Sequence, residues 1–182
     1  MRMPPQSFCN NTSMNMPNPE LDAEALYKVL AERVKTSLAK ARNVAVVGIY
    51  SGGAWLAERL AAELQTERLG FIDVSFYRDD YAEKGLHAEV KPTQIPFDVE
   101  DATILLVDDV LYTGRTTRAA INELFDYGRP AKIMLAALVD RGARELPIAA
   151  DFVAETIELP RNQQLVLQRA DDGRFSLTVD HV

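Results

Sequence analysis

Apolar residues along this chain follow two rhythms that take turns. From Ala23 to Ala41 they recur at helical spacing, at Leu26, Val29, Leu30, Val34 and Leu38, and Asp22 is placed to cap the helix. This helix is expected to cover a sheet, with a dimer contact as the other use of such a face. Val44-Ala45-Val46-Val47-Gly48-Ile49 is a continuous apolar run, the pattern of a strand buried on both faces. Tyr50-Ser51-Gly52-Gly53 reads as a turn, followed by an amphipathic helix from Ala54 to Leu64. Phe71 to Tyr77 alternates and reads as a strand. A polar stretch from Tyr81 to Phe97 holds Gly85, Pro92 and Pro96, and long connections of this kind serve as lids.

Ile104 to Val107 predicts another buried strand, followed by two acids, a turn at Thr113 to Thr117, and a helix from Arg118 to Tyr127 closed by Gly128. Lys132 to Val139 and Asp151 to Ala154 predict two more strands. Leu165 to Arg169 and Arg174 to Val179 flank Asp171-Asp172-Gly173 as a hairpin. Strand and helix alternate from Val44 to Val139. That order predicts an α/β domain with a mainly parallel sheet and helices on both faces.

Composition narrows the class. The chain has 182 residues, 47% of them hydrophobic, enough for one domain with a proper core. Residues 1–19 are rich in Met, Pro, Asn and Ser without periodicity and are expected to be disordered, leaving residues 20–182 as the domain. No apolar run is long enough to span a bilayer. The single cysteine, Cys9, excludes an intramolecular disulfide framework and fits a reducing cytoplasm. The formal net charge of −7 is the wrong sign for strong non-specific nucleic-acid binding.

The chemistry concentrates in Val107-Asp108-Asp109-Val110-Leu111-Tyr112-Thr113-Gly114-Arg115-Thr116-Thr117. In open α/β sheets, ligands bind beyond the carboxyl ends of the strands. A hydroxyl-rich, glycine-containing turn that opens a helix is an anion site, because its N–H groups are unpaired and the helix dipole favours negative charge. Thr113, Gly114, Arg115, Thr116 and Thr117 therefore suit a phosphate monoester. Asp108 and Asp109 suit sugar hydroxyls or a magnesium ion shared with pyrophosphate. A ribose 5-phosphate meets both demands. The spacing is not that of a Walker A loop.

This stretch resembles the 5-phosphoribosyl-1-pyrophosphate (PRPP) signature of type I phosphoribosyltransferases. Together with Tyr77-Arg78-Asp79-Asp80, Gly128-Arg129-Pro130 and Leu138 to Ile148 (L-V-D-R-G-A-R-E-L-P-I), it is similar to the bifunctional pyrimidine-operon regulator and uracil phosphoribosyltransferase family, PyrR. The resemblance implies the type I fold, with a small hood and a C-terminal β-hairpin. It implies synthesis of UMP and pyrophosphate from uracil and PRPP with Mg2+, response to UMP or UTP, and assembly into a homodimer or higher homo-oligomer without membrane contact. Carried over by position, Asp108, Asp109 and Arg78 are catalytic, the two aspartates meeting the metal through ribose and pyrophosphate. Ser51, Gly52 and Gly53 join Thr113 to Thr117 in binding PRPP. Tyr112, Arg141, Phe152 and Val153 border the base. Tyr112 stands where purine-salvage relatives carry an aspartate. A phenol is a poor base at neutral pH, which favours a pyrimidine.

Two departures bear on activity. Gly52 replaces the family's usual arginine in the pyrophosphate loop. Loss of one charge-assisted contact would weaken PRPP binding by about 1.5–3 kcal/mol. In the segment expected to meet leader mRNA, only Arg144 remains of the basic set. Ala143, Ala149 and Glu155 stand where histidine, arginine and lysine are expected. The expectation is an enzyme foremost; the alternatives are a uridine-nucleotide-sensing attenuator whose RNA binding is weakened or lost, and a catalytically weak nucleotide sensor that Gly52 leaves open.

Overall fold

The computed structural model describes residues 21–74 and 92–181. The disordered segment expected at 1–19, the Tyr77-Arg78-Asp79-Asp80 motif and most of the lid stretch lie outside them. Helix α1 spans Ala23–Leu38, and the Asp22 carboxylate caps it by accepting the Glu24 and Ala25 N–H groups at 3.0 and 3.1 Å. Then follow β1 (Val44–Ile49), α2 (Gly52–Glu63), β2 (Leu69–Ile72), β3 (Thr103–Leu111) and α3 (Arg115–Asp126). The chain continues through β4 (Lys132–Asp140) and β5 (Phe152–Thr156) to a hairpin of β6 (Gln163–Arg169) and β7 (Phe175–His181).

Strands β1 to β5 form one parallel sheet in the order β2-β1-β3-β4-β5. The order reverses between β1 and β3. Chain leaving β1 travels to one side, and chain leaving β3 to the other. Ile104 and Leu106 lie in the core with Ala120 and Leu124 of α3, while Leu105 and Val107 lie in the core with Leu30 of α1 and Leu60 of α2. Helices therefore cover both faces, as the alternating pattern predicts. The apolar stripe of α1 (Tyr27, Leu30, Val34, Leu38) is buried in this core, so the helix covers the sheet of its own subunit.

The sequence expectations err at element ends, for identifiable reasons. Strand β3 does not stop at Val107. It pairs with β4 through Asp108↔Ala137 and Val110↔Val139 to Leu111↔Asp140, so the acid pair lies within the strand. Helix α2 starts at Gly52, two residues before the expected Ala54, and α3 starts at Arg115 rather than Arg118. Strand β2 ends at Ile72, although Val74 remains buried.

The C-terminal hairpin is a separate antiparallel sheet. Its Leu165, Leu167 and Phe175 pack into the α1–α2 side of the core, so these helices lie between the two sheets. Arg59 of α2 fastens it. Its guanidinium pairs with both oxygens of Glu24 at 2.9 and 3.0 Å, donates to the Gly173 carbonyl, and lies 3.8 Å from the centre of the Phe175 ring. Glu24 also accepts the Phe175 N–H at 2.6 Å, and the Arg59 guanidinium holds its carboxyl below the usual range. Arg59→Met keeps most of the apolar stem and removes these bonds. It is expected to destabilise the fold by about 2 kcal/mol in a denaturant titration. An unchanged midpoint would mean that the hairpin is held by its apolar face alone.

Candidate active site at the sheet's switch point

Two strand-to-helix units meet where the strand order reverses. Strand β1 delivers Ser51 and the N-terminus of α2, and β3 delivers Asp108, Asp109 and the loop into α3. Neither helix has an acidic side chain in its first turn, so both electropositive ends stay uncompensated by their own residues. Switch-point crevices of this kind are where open α/β sheets bind ligands.

The glycines let these units approach closely. A Cβ on Gly48 would lie 2.6 Å from the Ala54 Cα, and one on Gly53 would lie 2.3 Å from the Val107 carbonyl oxygen. Both obstacles are backbone, so α2 can sit this close only over glycine. A Cβ on Gly52 would instead meet the Asp109 side chain, with its Oδ2 at 2.3 Å. Asp109 thus rests against the first turn of α2. Asp108 is buried, and its Oδ1 accepts the Asp109 N–H at 3.0 Å.

After Leu111 the chain turns sharply. Gly114 takes a left-handed φ of 90°, and a Cβ there would also crowd Ile148 at 3.1 Å. The Thr113 hydroxyl accepts the Arg115 N–H at 3.3 Å, and Arg118 N–H donates to the Gly114 carbonyl at 2.9 Å as α3 begins. Thr116 is half-buried and Arg115 exposed beside the loop. Thr117 behaves differently from the expectation. It is only 1% exposed, and its hydroxyl has no hydrogen-bond partner among the described residues. Its side chain is buried at the start of α3.

Tyr112 and Arg141 are brought together, with the guanidinium 3.8 Å from the centre of the tyrosine ring. Arg141 is buried, donates to the Pro160 carbonyl at 3.3 Å, and its Nε has no partner among the described residues. Phe152 and Val153 lie further back. The register pairs them with Ala136 and Ala137, whereas Thr156 is the residue beside Asp140 at the carboxyl end of β4. Arg78 lies outside the described residues. No three His, Cys, Asp or Glu side chains among the described residues converge as a metal cage.

Arg144 is half-buried and bonded to its own surroundings. Its Nε donates to the Ile148 carbonyl at 3.0 Å, its guanidinium also reaches the carbonyls of Leu111 (3.3 Å), Tyr112 and Gly142 (3.2 Å), and it pairs with Asp140. Nearby, Arg115 pairs with Glu145 at 2.5 Å. Sequence reasoning missed Asp140 and Glu145 as partners. The Asp-Arg-Gly-Ala-Arg spacing, which places a carboxylate four residues before Arg144, was the available signal.

Comparison with known proteins agrees with this geometry. The phosphoribosyl transferase domain model matches residues 20–166. "Bifunctional protein PyrR" of Ralstonia nicotianae is 54% identical over 168 residues, covering 90% of this chain and 97% of that protein. The protein of the same name from Nitrosococcus oceani is 49% identical, covering 90% and 96%. The chain belongs to the phosphoribosyltransferases of the PyrR family. Among solved structures, a hypoxanthine-guanine phosphoribosyltransferase from Bacillus anthracis superposes with a TM-score of 0.60 at 19% identity, covering 76% of this chain and 81% of that one. A purine phosphoribosyltransferase from Pyrococcus horikoshii gives 0.57 at 27% identity, covering 75% and 83%. The first of these likenesses speaks to the phosphoribosyltransferase fold alone. Membership in the PyrR family rests on the sequence relatives, and it extends over nearly the whole chain.

Proposed function

We propose that this chain transfers the phosphoribosyl group of PRPP to uracil, forming UMP and pyrophosphate. The observation that carries the reading is the meeting, at one switch point, of an acid pair, a left-handed phosphate turn and an arginine-stacked tyrosine. The name shared by its relatives, a bifunctional PyrR protein, supports the same reading.

In this reading the 5-phosphate sits on the N–H groups of Gly114 to Thr117 at the start of α3, aided by the Thr116 hydroxyl. Asp108 and Asp109 hold the ribose hydroxyls and fix the anomeric carbon. Pyrophosphate lies toward Ser51, Gly52 and Gly53 at the start of α2, where backbone donors and the helix dipole face its charge. Uracil lies beside Tyr112 and Arg141, and its ring nitrogen attacks the anomeric carbon as the pyrophosphate oxygen leaves. Catalysis is then mainly positioning and stabilisation of leaving-group charge.

Two adjacent carboxylates, with no third convergent ligand among the described residues, fit a magnesium ion carried in largely by phosphate oxygens. Such an ion would supply charge neutralisation at the leaving pyrophosphate, with Asp108 and Asp109 as its protein-side neighbours. For the regulatory half of the family's name, the exposed Ala143, Ala149 and Glu155 offer no cation, and Arg144 is engaged elsewhere. This supports catalysis ahead of RNA binding.

The test is UMP formation from uracil and PRPP with magnesium, with cytosine, hypoxanthine and orotate offered in parallel. Turnover of uracil alone is expected. Turnover of hypoxanthine in preference to uracil would overturn the pyrimidine reading.

A further inference from the structure

Beyond the segment's expected contact with RNA, we infer that Arg144 is a positioning residue for the phosphate loop, acting as a brace between that loop and the end of β4. The inference rests on the reading of Thr113 to Thr117 as the 5-phosphate site.

A guanidinium has five N–H donors in a fixed plane and no acceptor. All three of its nitrogens are occupied here. Nε holds the Ile148 carbonyl at 3.0 Å. One terminal nitrogen reaches the carbonyls of Leu111, Tyr112 and Gly142, and the other pairs with Asp140. Leu111 and Tyr112 are the residues that enter the phosphate turn. Asp140 ends β4, and its other oxygen accepts the Gly142 N–H at 2.8 Å. Arg144 therefore ties the start of the turn to the neighbouring strand.

The same short segment touches the turn elsewhere. The N–H groups of Glu145 and Leu146 donate to the Thr113 carbonyl at 3.0 and 3.1 Å. Ile148 fills the space beside Gly114, so the turn is packed from below by the residue whose carbonyl Arg144 holds. With an arginine side chain only 22% exposed, this is an internal brace rather than a surface cation. Without it, four carbonyls and a carboxylate lose a shared donor, and the turn loses the contact that fixes its entry. The N–H groups aimed at a phosphate would then be presented in many orientations instead of one.

The experiment compares full-length wild type, Arg144→Lys and Arg144→Met. Each is titrated calorimetrically with UMP, ribose 5-phosphate and uridine, and hydrogen exchange is followed in the peptide covering 112–117. Arg144→Met is expected to weaken UMP and ribose 5-phosphate at least tenfold and to leave uridine within twofold. Exchange at 112–117 is expected to quicken while that of β1 and α1 stays as in wild type. Arg144→Lys, which keeps the charge but cannot span these acceptors, is expected to recover only a small part of the loss. Equal weakening of UMP and uridine would mean a general structural role and overturn the inference. Unchanged exchange at 112–117 would overturn it whether or not a variant binds ligand. A wild-type protein that binds neither phosphorylated ligand would overturn the phosphate-site reading itself, a result distinct from failure of the brace.

Discussion

Gly52→Arg is expected to lower the turnover of uracil about 100-fold, although it restores a cation in the loop proposed to hold pyrophosphate. The reason is spatial. An ideal Cβ at residue 52 lies 2.3 Å from Asp109 Oδ2, 2.5 Å from Cγ and 2.8 Å from Cβ. Rotating the Asp109 side chain clears the first two contacts. The third remains, because a Cβ is fixed by its backbone, so α2 and the end of β3 must also separate slightly. A small misplacement of a positioning group can cost about 10²-fold. That corresponds to about 2.7 kcal/mol at the transition state, comparable with the 1.5–3 kcal/mol or so that a new charge-assisted contact adds to PRPP binding. The two effects act on different parameters. The expected signature is therefore a lower kcat with an unchanged or lower KM for PRPP. Gly52→Ala, which introduces the Cβ without the cation, should lose kcat to a similar extent. A Gly52→Arg enzyme as fast as wild type would show that the position of Asp109 is not critical.

Asp109→Asn is expected to reduce kcat/KM for uracil by about 10²–10³-fold, the range seen when one positioned electrostatic group is removed from an active site. Asparagine is nearly isosteric, so the fit over Gly52 survives and only the charge is lost. Among the described residues the Asp109 carboxylate accepts no hydrogen bond, while its backbone N–H donates to the Asp108 carboxylate. The melting temperature should consequently stay within a degree or two of wild type. A large drop in stability would mark Asp109 as structural, and retained activity would remove it from the catalytic set. Asp108→Asn is a poorer probe, since Asp108 is buried and its carboxylate helps to hold the strand end.

The class of fold was legible because its core strands are almost wholly apolar. Val44 to Ile49 and Lys132 to Val139 announce a parallel sheet, and both appear with their ends correct to within a residue. The continuation of β3 through Asp108 and Asp109 was not legible. Two carboxylates look like the end of a strand in a sequence, and only the pairing with Ala137 and Val139 overrides that local signal. Gly52 and Gly53 were read as a turn for the same kind of reason. Their propensity is that of a loop, but their presence inside α2 follows from how near β3 passes, which depends on tertiary packing. The candidate site residues that lie close together in sequence could be named from the motif alone. Those joined across the chain, such as Gly52 with Asp109 and Arg144 with Tyr112, required coordinates. Burial of the Thr117 side chain was likewise not legible, since a hydroxyl beside a phosphate motif reads as exposed in sequence.

The bond between Glu24 and the Phe175 N–H joins residues 151 positions apart. During synthesis, α1 thus waits for β7, the last of the described strands, before its layer can be closed. Every segment of the described switch-point site, from β1 to the loop after β4, is made earlier than the hairpin that covers α1 and α2. A nascent chain released up to Pro160 would already contain these parts, yet it would lack Leu165, Leu167 and Phe175, and the part of Tyr27 that meets the Phe175 ring would be uncovered. During that interval the uncovered apolar surface is open to association with other unfinished chains.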